Sequence, residues 1–349
     1  MAFGPTVAGT VQDRTTWPVL LFLLAGVIVP AAGVLWFMNE AAKGQAEAAR
    51  QQVNDAYRGQ LRFIRDRVDA VWEARAAPGL RSAEASPAIK FKESVGASLA
   101  DSFVFVNGDG SAAYPSRAIS WVGDEALDPP ELRRAEQLEA SRDLSGAIAQ
   151  YGAVARDARR DRQGVAFISI AGRAAQAQIR CLVQSGQKEA ALRAIEQYFS
   201  TGRLIKAEDA HRRLIAADEY LLAVQLMKPA DRAYQTAVSR LADRLNDYKG
   251  WPMPSAQRLF LMTEVRAMRP TPNRAFPTYE AEQLAAEFLE KDDLREHAPR
   301  LEASGVPEVW KLRSGNIIGL YRTSAVLNTM RAIADQAASP QVRFELIPP

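Results

Sequence analysis

Few side chains in this chain of 349 residues could carry out acid–base, nucleophilic or metal chemistry. The sequence contains two histidines, His211 and His297, and one cysteine, Cys181. Protein zinc sites need three or four ligands, so these residues leave little material for such a site. His211 lies in EDAHRRLIAAD, where it is a possible phosphoacceptor, but we expect a histidine on the surface of a helix. Cys181 lies on the apolar face of a predicted helix and is expected to be a small buried hydrophobic residue.

The acidic turn Asn107–Gly110 and three arginines are the other candidates for chemistry. The turn is too short for a phosphate-binding loop and is not followed by a helix. It also lacks the spaced oxygen ligands and the distal glutamate of a calcium loop, so it predicts only a hairpin turn. Arg173, Arg180 and Arg258 could bind an acidic ligand, but we expect them to pair with carboxylates on neighbouring helices. The sequence therefore predicts no catalytic residue, no cofactor site and no metal site.

The apolar segment Trp17–Met38 is the strongest signal in the sequence. Its 22 residues carry no charge, and at 1.5 Å per residue they can cross a hydrocarbon core of about 30 Å. Trp17 and Trp36 lie near its ends, where indole rings favour the lipid–water interface. A cleaved signal peptide is the alternative, but its apolar region is usually shorter than this one. The segment predicts a single transmembrane helix in a lipid bilayer.

Charges near this segment do not settle the orientation of the chain. Several basic residues follow the segment, and the positive-inside rule would keep that side in the cytoplasm. Large domains can nevertheless be translocated despite their charges. We expect residues 40–349 to lie outside the cytoplasm of a bacterium, anchored in its inner membrane.

Residues 39–77 predict one long helix that leaves the membrane. Its apolar residues are spaced by four and three, which is a heptad pattern. They are Tyr57, Leu61, Ile64, Val68 and Val71. The pattern fits either the stalk of a homodimer or a helix that packs on its own domain, and two heptads do not decide between them.

The middle of the chain, from Pro129 to about Glu290, predicts successive amphipathic helices. Residues 147–151 and 191–195 carry similar apolar patterns at an offset of 44 residues. This offset predicts two helix pairs of tetratricopeptide type, although a generic helical bundle fits equally well. Five residues are expected to be packed core residues and not ligand contacts: Ile148, Tyr151, Leu182, Leu192 and Ile195.

Short strands flank this helical region. SFVFVNGDGSAAYP (102–115) predicts a β-hairpin, since Asn and Gly favour tight hairpin turns. Near the end of the chain, residues 316–321 and 341–347 predict strands on either side of a helix at 324–338. Neither set is large enough to form a stable sheet alone. We therefore expect Phe103–Val106 and Asn316–Tyr321 to belong to one sheet, or the chain to be part of a longer protein, or both.

The amino-acid composition of the chain limits the classes of binding partner that are expected. The chain is 48% hydrophobic with a net charge of only +3, spread along its length. A globular protein is expected, and nucleic acid is not a favoured partner.

Several phrases of the sequence resemble the N-terminal sensory region of membrane-bound sensor histidine kinases with helical-repeat input domains. They are the segment 17–38, RFIRDRVDAVWEAR (62–75), DSFVFVNGDGSAAYPS (101–116), QAQIRCLVQSGQKEAAL (176–192), MPSAQRLFLMTEV (253–265) and NIIGLYRTSAVL (316–327). The resemblance implies an extracytoplasmic sensor, a second membrane helix and a cytoplasmic kinase core. This chain has no second span, no phosphoacceptor box and no ATP-lid motif. It is therefore expected to supply the input half of such a kinase and no kinase activity of its own.

The sequence as a whole predicts a mainly α-helical, membrane-anchored protein with a tetratricopeptide-like helical array and a small α/β module. Its expected function is signal sensing for a two-component system, by way of an unknown ligand or protein partner. The alternative is a membrane-tethered scaffold that binds partner proteins, and an enzyme with an unrecognised site is a third possibility. The expected segments are a tail (1–16), a transmembrane helix (17–38), a juxtamembrane helix (39–79), a segment with the hairpin (80–128), a helical array (129–300) and a strand–helix–strand segment (301–349).

Overall fold

The computed structural model describes residues 16–76, 85–116, 129–160, 165–268, 275–292, 294 and 301–337. The chain divides into two units, residues 1–67 and 68–349. The predicted strand 341–347 and His297 lie outside the described residues, as do residues 1–15 of the predicted tail and residues 77–79 of the predicted juxtamembrane helix.

The described part of the first unit, residues 16–67, belongs to one long helix, α1 (Thr16–Ala76). The segments predicted separately as a transmembrane helix and a juxtamembrane helix are continuous in this helix. Pro30 lies inside it. Among the described residues, α1 is the one helix that is long and apolar enough to cross a membrane. Large apolar side chains between Phe22 and Met38 are exposed, which is unfavourable in water and favourable in lipid.

The second unit contains ten further α-helices and a short 3-10 helix (Arg203–Lys206) in its described part. Their bounds are α2 (Pro87–Gly96), α3 (Pro130–Ala140), α4 (Leu144–Arg160), α5 (Val165–Gln184), α6 (Lys188–Phe199), α7 (Ile215–Leu226), α8 (Arg232–Leu245), α9 (Ser255–Ala267), α10 (Tyr279–Lys291) and α11 (Thr323–Ala337). From α3 to α10, each helix packs against the next one along the chain. The predicted core residues Tyr151, Leu182 and Ile195 are buried, while Ile148 and Leu192 are half-buried and pack against the same core.

Two turns in this region are equivalent at an offset of 44 residues. The turn between α3 and α4 has Arg142 at φ 64°, and the turn between α5 and α6 has Gly186 at φ 77°. The backbone N–H of Asp143 donates to the carbonyl of Leu138, as that of Gln187 does to Leu182. The two turns therefore share the same backbone geometry and hydrogen bond at this offset.

The second unit contains a five-stranded antiparallel sheet, whose strands come from near both ends of that unit's sequence. Its strands are β1 (Ser102–Val106), β2 (Ala112–Tyr114), β3 (Leu301–Ala303), β4 (Val309–Ser314) and β5 (Ile317–Arg322), in the spatial order β2-β1-β5-β4-β3. The predicted hairpin is formed by β1 and β2. Phe103 of β1 pairs with Gly319 of β5, so the prediction that these distant segments share a sheet is confirmed. Strands β3 and β4 were not predicted.

Helices cover both faces of the sheet. One face packs on α2 and α10, through a core that includes Phe91, Val104 and Phe288. The other face packs on α11 and on the C-terminal end of α1, where Trp72 and Tyr321 are buried against each other. The module is thus built from segments that precede and follow the helical region, and α10 belongs to its core.

Candidate functional site

An unusual group in the described residues is a buried carboxylate on α10. Glu282 is only 1% exposed, although it carries an ionisable group. Charged residues are almost never fully buried without partners, because removing them from water is costly. Its neighbourhood is therefore the place to look for a functional site.

Two tyrosine hydroxyls donate to one oxygen of this carboxylate. The hydroxyl of Tyr114, at the end of β2, donates to Glu282 Oε1. The hydroxyl of Tyr248, between α8 and α9, donates to the same oxygen at 2.7 Å and lies 2.9 Å from Thr278 Oγ1. Thr278 is the N-cap residue of α10, but its hydroxyl accepts from Tyr248 and makes no hydrogen bond to the backbone of α10. The other oxygen, Glu282 Oε2, has no hydrogen-bond partner.

A buried arginine completes the cluster. Arg258 on α9 is fully buried, and its guanidinium carbon lies 3.9 Å from the centre of the Tyr248 ring. Its two Nη atoms donate to the backbone carbonyls of Leu245 and Trp251. The expectation that Arg258 pairs with a carboxylate is wrong, because backbone carbonyls at the end of α8 and in the following loop occupy those donors.

Burial controls the proton affinity of this carboxylate. It raises the pKa of Glu282 to about 7, against the lowering effects of the two tyrosine hydrogen bonds and of the Arg258 charge. Burial and the adjacent carboxylate also raise the pKa of Tyr114 well above its usual value. The cluster can therefore change charge near neutral pH through Glu282, while Tyr114 remains a hydrogen-bond donor.

A cavity of about 450 Å³ opens beside Glu282, between α9 and α10. A volume of this size is within the usual range for small-molecule sites. Its lining consists of two glutamates, two serines and four apolar residues: Glu282, Glu290, Ser116, Ser255, Ala256, Leu259, Ala286 and Leu289. Ser255 is the first residue of α9, and its hydroxyl donates to the carbonyl of Ser116 at 3.1 Å. The site thus combines a buried acceptor with an apolar surface.

The residues that the sequence singled out lie elsewhere. His211 is exposed in a turn and not on a helix, because the Asp209 carboxylate accepts from the backbone N–H groups of His211 and Arg213 and closes that turn. Cys181 is buried, and burial raises its pKa to about 11. Arg180 forms a two-point ion pair with Glu139, as expected of a structural arginine.

The turn Asn107–Gly110 closes the hairpin as predicted. Gly110 has φ of 83°, and the Asp109 carboxylate accepts from the backbone and side chain of Ser111. Within the described residues, no group of three or more His, Cys, Asp or Glu side chains is arranged to hold a metal ion.

Sequence reasoning missed Glu282 and its partners. One signal was present in TYEAEQLAAEFLEK, where Glu282 lies three residues before Ala285 and seven before Leu289, on the apolar face of α10. The other partners left no local signal. Tyr114, Tyr248 and Arg258 come from three separate segments, and only the fold brings them together.

Comparison of the chain with protein-family models, with curated proteins and with solved structures found no match.

Proposed function

We propose that this chain is the membrane-anchored sensory input region of a signal-transducing protein, of the kind that feeds a two-component histidine kinase. The apolar part of α1 would anchor it in a bacterial inner membrane, and the second unit would lie outside the cytoplasm and bind the signal. The kinase core would be supplied outside the residues of this chain.

The observation that best supports the proposal is the burial of Trp72 near the C-terminal end of α1. Trp72 is 1% exposed, and its ring centre lies 4.7 Å from that of Tyr321 on β5. Arg75 of the same helix donates to Thr329 on α11 at 3.2 Å. The helix that carries the candidate membrane span thus ends inside the sheet module. A shift of this sheet would act directly on the end of that helix.

If two copies of the chain form a homodimer through α1, such a shift would change how the two α1 helices pack. Val53, Tyr57 and Leu61 are large, exposed and spaced by four residues along one side of the helix. An exposed apolar stripe of this kind is typical of a helix that packs on another helix. A second copy of the chain supplies the same stripe, so the proposed occupant is that copy.

The second candidate function is a membrane-tethered scaffold. The equivalent turns at Arg142 and Gly186 favour it, because stacked helix pairs of tetratricopeptide type commonly present a surface to partner proteins. In that case the array binds a protein, and the end of α1 is only an attachment. The two functions differ in whether the module and the stalk are coupled.

Disulfide cross-linking in native membranes tests both the dimer and the coupling. Tyr57→Cys on the stripe should cross-link faster than Asp55→Cys, which lies on another side of α1. The buried Cys181 can stay in place as the background thiol. Equal rates at the two positions would contradict the dimeric stalk.

The coupling is then tested by truncating a buried tryptophan in each of two places. Trp72→Ala should change the cross-linking rate at Tyr57→Cys, whereas Trp251→Ala should not, because Trp251 lies in the core of the helical array. If both substitutions change the rate, or neither does, the proposed route through Trp72 is wrong.

Alkaline phosphatase and a cytosolic fluorescent reporter, each fused after Pro349, test the orientation independently.

A further inference from the structure

We infer that Asn107 is a site of spontaneous deamidation, which converts this residue of the hairpin turn to aspartate or isoaspartate. The reaction needs water and no enzyme, and it does not depend on the function proposed above. In the first step the backbone nitrogen of Gly108 attacks Asn107 Cγ, the bond from Cγ to Nδ2 breaks, and the proton of the attacking N–H leaves with the amide group as ammonia. In the second step water opens the cyclic succinimide at either of its two carbonyls.

The residue after Asn107 is the one that favours this cyclisation. Gly108 has no Cβ, so nothing on it hinders the approach of its nitrogen to the asparagine side chain. Asn107 is the one asparagine in the whole sequence that precedes a glycine. Asn and Gly also favour tight hairpin turns, so the residues that close this hairpin are the reactive pair.

The folded chain leaves the attacking nitrogen accessible. Asn107 and Gly108 are exposed at the tip of the hairpin. The turn is closed by hydrogen bonds from the N–H of Asn107 to the carbonyl of Ser111 and from the N–H of Gly110 to the carbonyl of Asn107. Within the described residues, the N–H of Gly108 donates to no other group. The nitrogen can therefore lose its proton to solvent and attack.

Only local, exposed hydrogen bonds restrain the side chain that is attacked. Asn107 Nδ2 donates to Ser111 Oγ at 2.9 Å, and that hydroxyl donates to Asp109 at 2.6 Å. Exposed loop tips open at low free energy, because few buried contacts are lost. The reaction should therefore be slower in the folded chain than in a free peptide, but not blocked.

Asn316 provides a matched comparison within the same sheet. It is also exposed, and it lies beside Gly315 in the turn between β4 and β5. The residue after it is Ile317, whose branched side chain is stiff and crowds its own backbone nitrogen. Asn316 should therefore remain unmodified while Asn107 reacts.

The isoaspartate product should weaken the hairpin. It adds one atom to the backbone between residues 107 and 108, and it removes the amide that donates to Ser111. The length of a hairpin loop fixes the register of its strands. In this hairpin that register pairs Val106 with Ala112 and Phe105 with Tyr114. We therefore expect β2 to pair less firmly with β1 once isoaspartate has formed.

The test incubates the full chain in lipid nanodiscs at mildly acidic and mildly alkaline pH and follows its tryptic peptides by mass spectrometry. Residues 93–117 form one peptide, in which Asn107 is the only side-chain amide, and residues 314–322 form another, which contains Asn316. A synthetic peptide of residues 101–116, incubated alongside, sets the time scale.

We expect residues 93–117 to gain the mass of an amide-to-acid change and to contain isoaspartate, while residues 314–322 stay unchanged. The change should be faster at the higher pH, because the attacking nitrogen must lose its proton. A full chain that is unmodified when the synthetic peptide has reacted completely overturns the inference. So does a product that contains aspartate without isoaspartate, because the cyclic intermediate gives both.

Three variants locate the reaction. Asn107→Gln should suppress it, because the ring that would form is larger. Gly108→Ala should slow it at least several-fold, and the added Cβ meets nothing within 4 Å, so the hairpin is retained. Gly96→Ala makes the same change in the same tryptic peptide, also in open space, and should leave the rate unchanged. Equal rates in Gly108→Ala and the wild-type chain would contradict attack by the Gly108 nitrogen.

Hydrogen exchange of the incubated samples tests the effect on the sheet. The wild-type chain should lose protection at β2 relative to incubated Asn107→Gln, whereas β4, which does not pair with the hairpin, should keep it. Unchanged protection of β2 in a sample that contains isoaspartate would contradict the expected loss of pairing.

Discussion

Glu282 is a residue whose burial opposes the stability of the folded chain. A buried carboxylate with one unpaired oxygen costs free energy in its charged form, because burial removes it from water. The tyrosine hydrogen bonds and the nearby Arg258 offset only part of this cost, since the pKa of Glu282 is still raised to about 7.

This raised pKa predicts how stability depends on pH. In the unfolded chain, Glu282 should titrate near its usual pKa of 4.5, whereas the folded state keeps the proton up to about pH 7. The folded state therefore binds more protons between these values, and the Glu282 contribution to unfolding free energy falls as pH rises through this window. Relative to Glu282→Gln, the wild-type chain should lose roughly 2–3 kcal/mol between pH 5 and pH 8.

Urea unfolding of the two proteins in micelles at both pH values measures this difference. Glu287→Gln is the control and should show the pH dependence of the wild-type chain. A constant difference between wild type and Glu282→Gln across the pH range would show that Glu282 does not titrate as inferred.

The helices of the second unit approach each other closely where small residues permit it. Gly172 on α5 is an example, because a Cβ added there would lie 2.4 Å from the Cβ of Ala207 and 3.2 Å from Cδ1 of Ile215. Atoms at such distances must move apart. This contact fixes how closely α5 approaches the segment before α7 and the start of α7 itself.

Gly172→Ala should therefore destabilise the second unit, although alanine is the better helix former. Overpacking typically costs about 1–3 kcal/mol, which exceeds the gain of roughly 0.5–1 kcal/mol from replacing a helical glycine. The matched control is Gly59→Ala on α1, where nothing lies within 4 Å of the added Cβ and stability should be unchanged or higher. Thermal unfolding followed by circular dichroism measures both. A raised midpoint for Gly172→Ala would contradict this packing.

Secondary-structure elements could be predicted from the sequence where a periodic pattern of residues specifies them. They could not be predicted where they depend on a particular side-chain contact. The long apolar helix, the amphipathic helices and the hairpin at Asn107–Gly110 follow from spacing and turn chemistry. Strand β4 was missed because Lys311 interrupts its apolar pattern, and Lys311 is buried only because it pairs with Asp292 at 2.7 Å. His211 was assigned to a helix because the turn depends on the Asp209 side chain. The cluster at Glu282 depends on tertiary contacts between distant segments and has no sequence motif.

At the scale of the whole second unit, the sheet and the helical array have separate cores. The array core runs from Leu132 on α3 to Phe276 before α10, while the sheet shares its main core with α2 and α10. Central strand β5 pairs with β1 on one side and β4 on the other. The sheet therefore depends on segments that are far apart in sequence, and β5 joins them.

Ile318→Ala tests whether the sheet is one cooperative unit. Ile318 is 3% exposed and pairs with Val104 on β1 and Arg313 on β4. The substitution should cost about 2–5 kcal/mol and should lower the hydrogen-exchange protection of β1, β4 and α10 together, because these elements share one core. Amides of α4 and α5, in the array core, should keep their protection in the same sample.

The control Leu182→Ala should give the opposite pattern, since Leu182 is buried in the array core. If Ile318→Ala lowered protection in β4 but left β1 unchanged, the two ends of the chain would not open together.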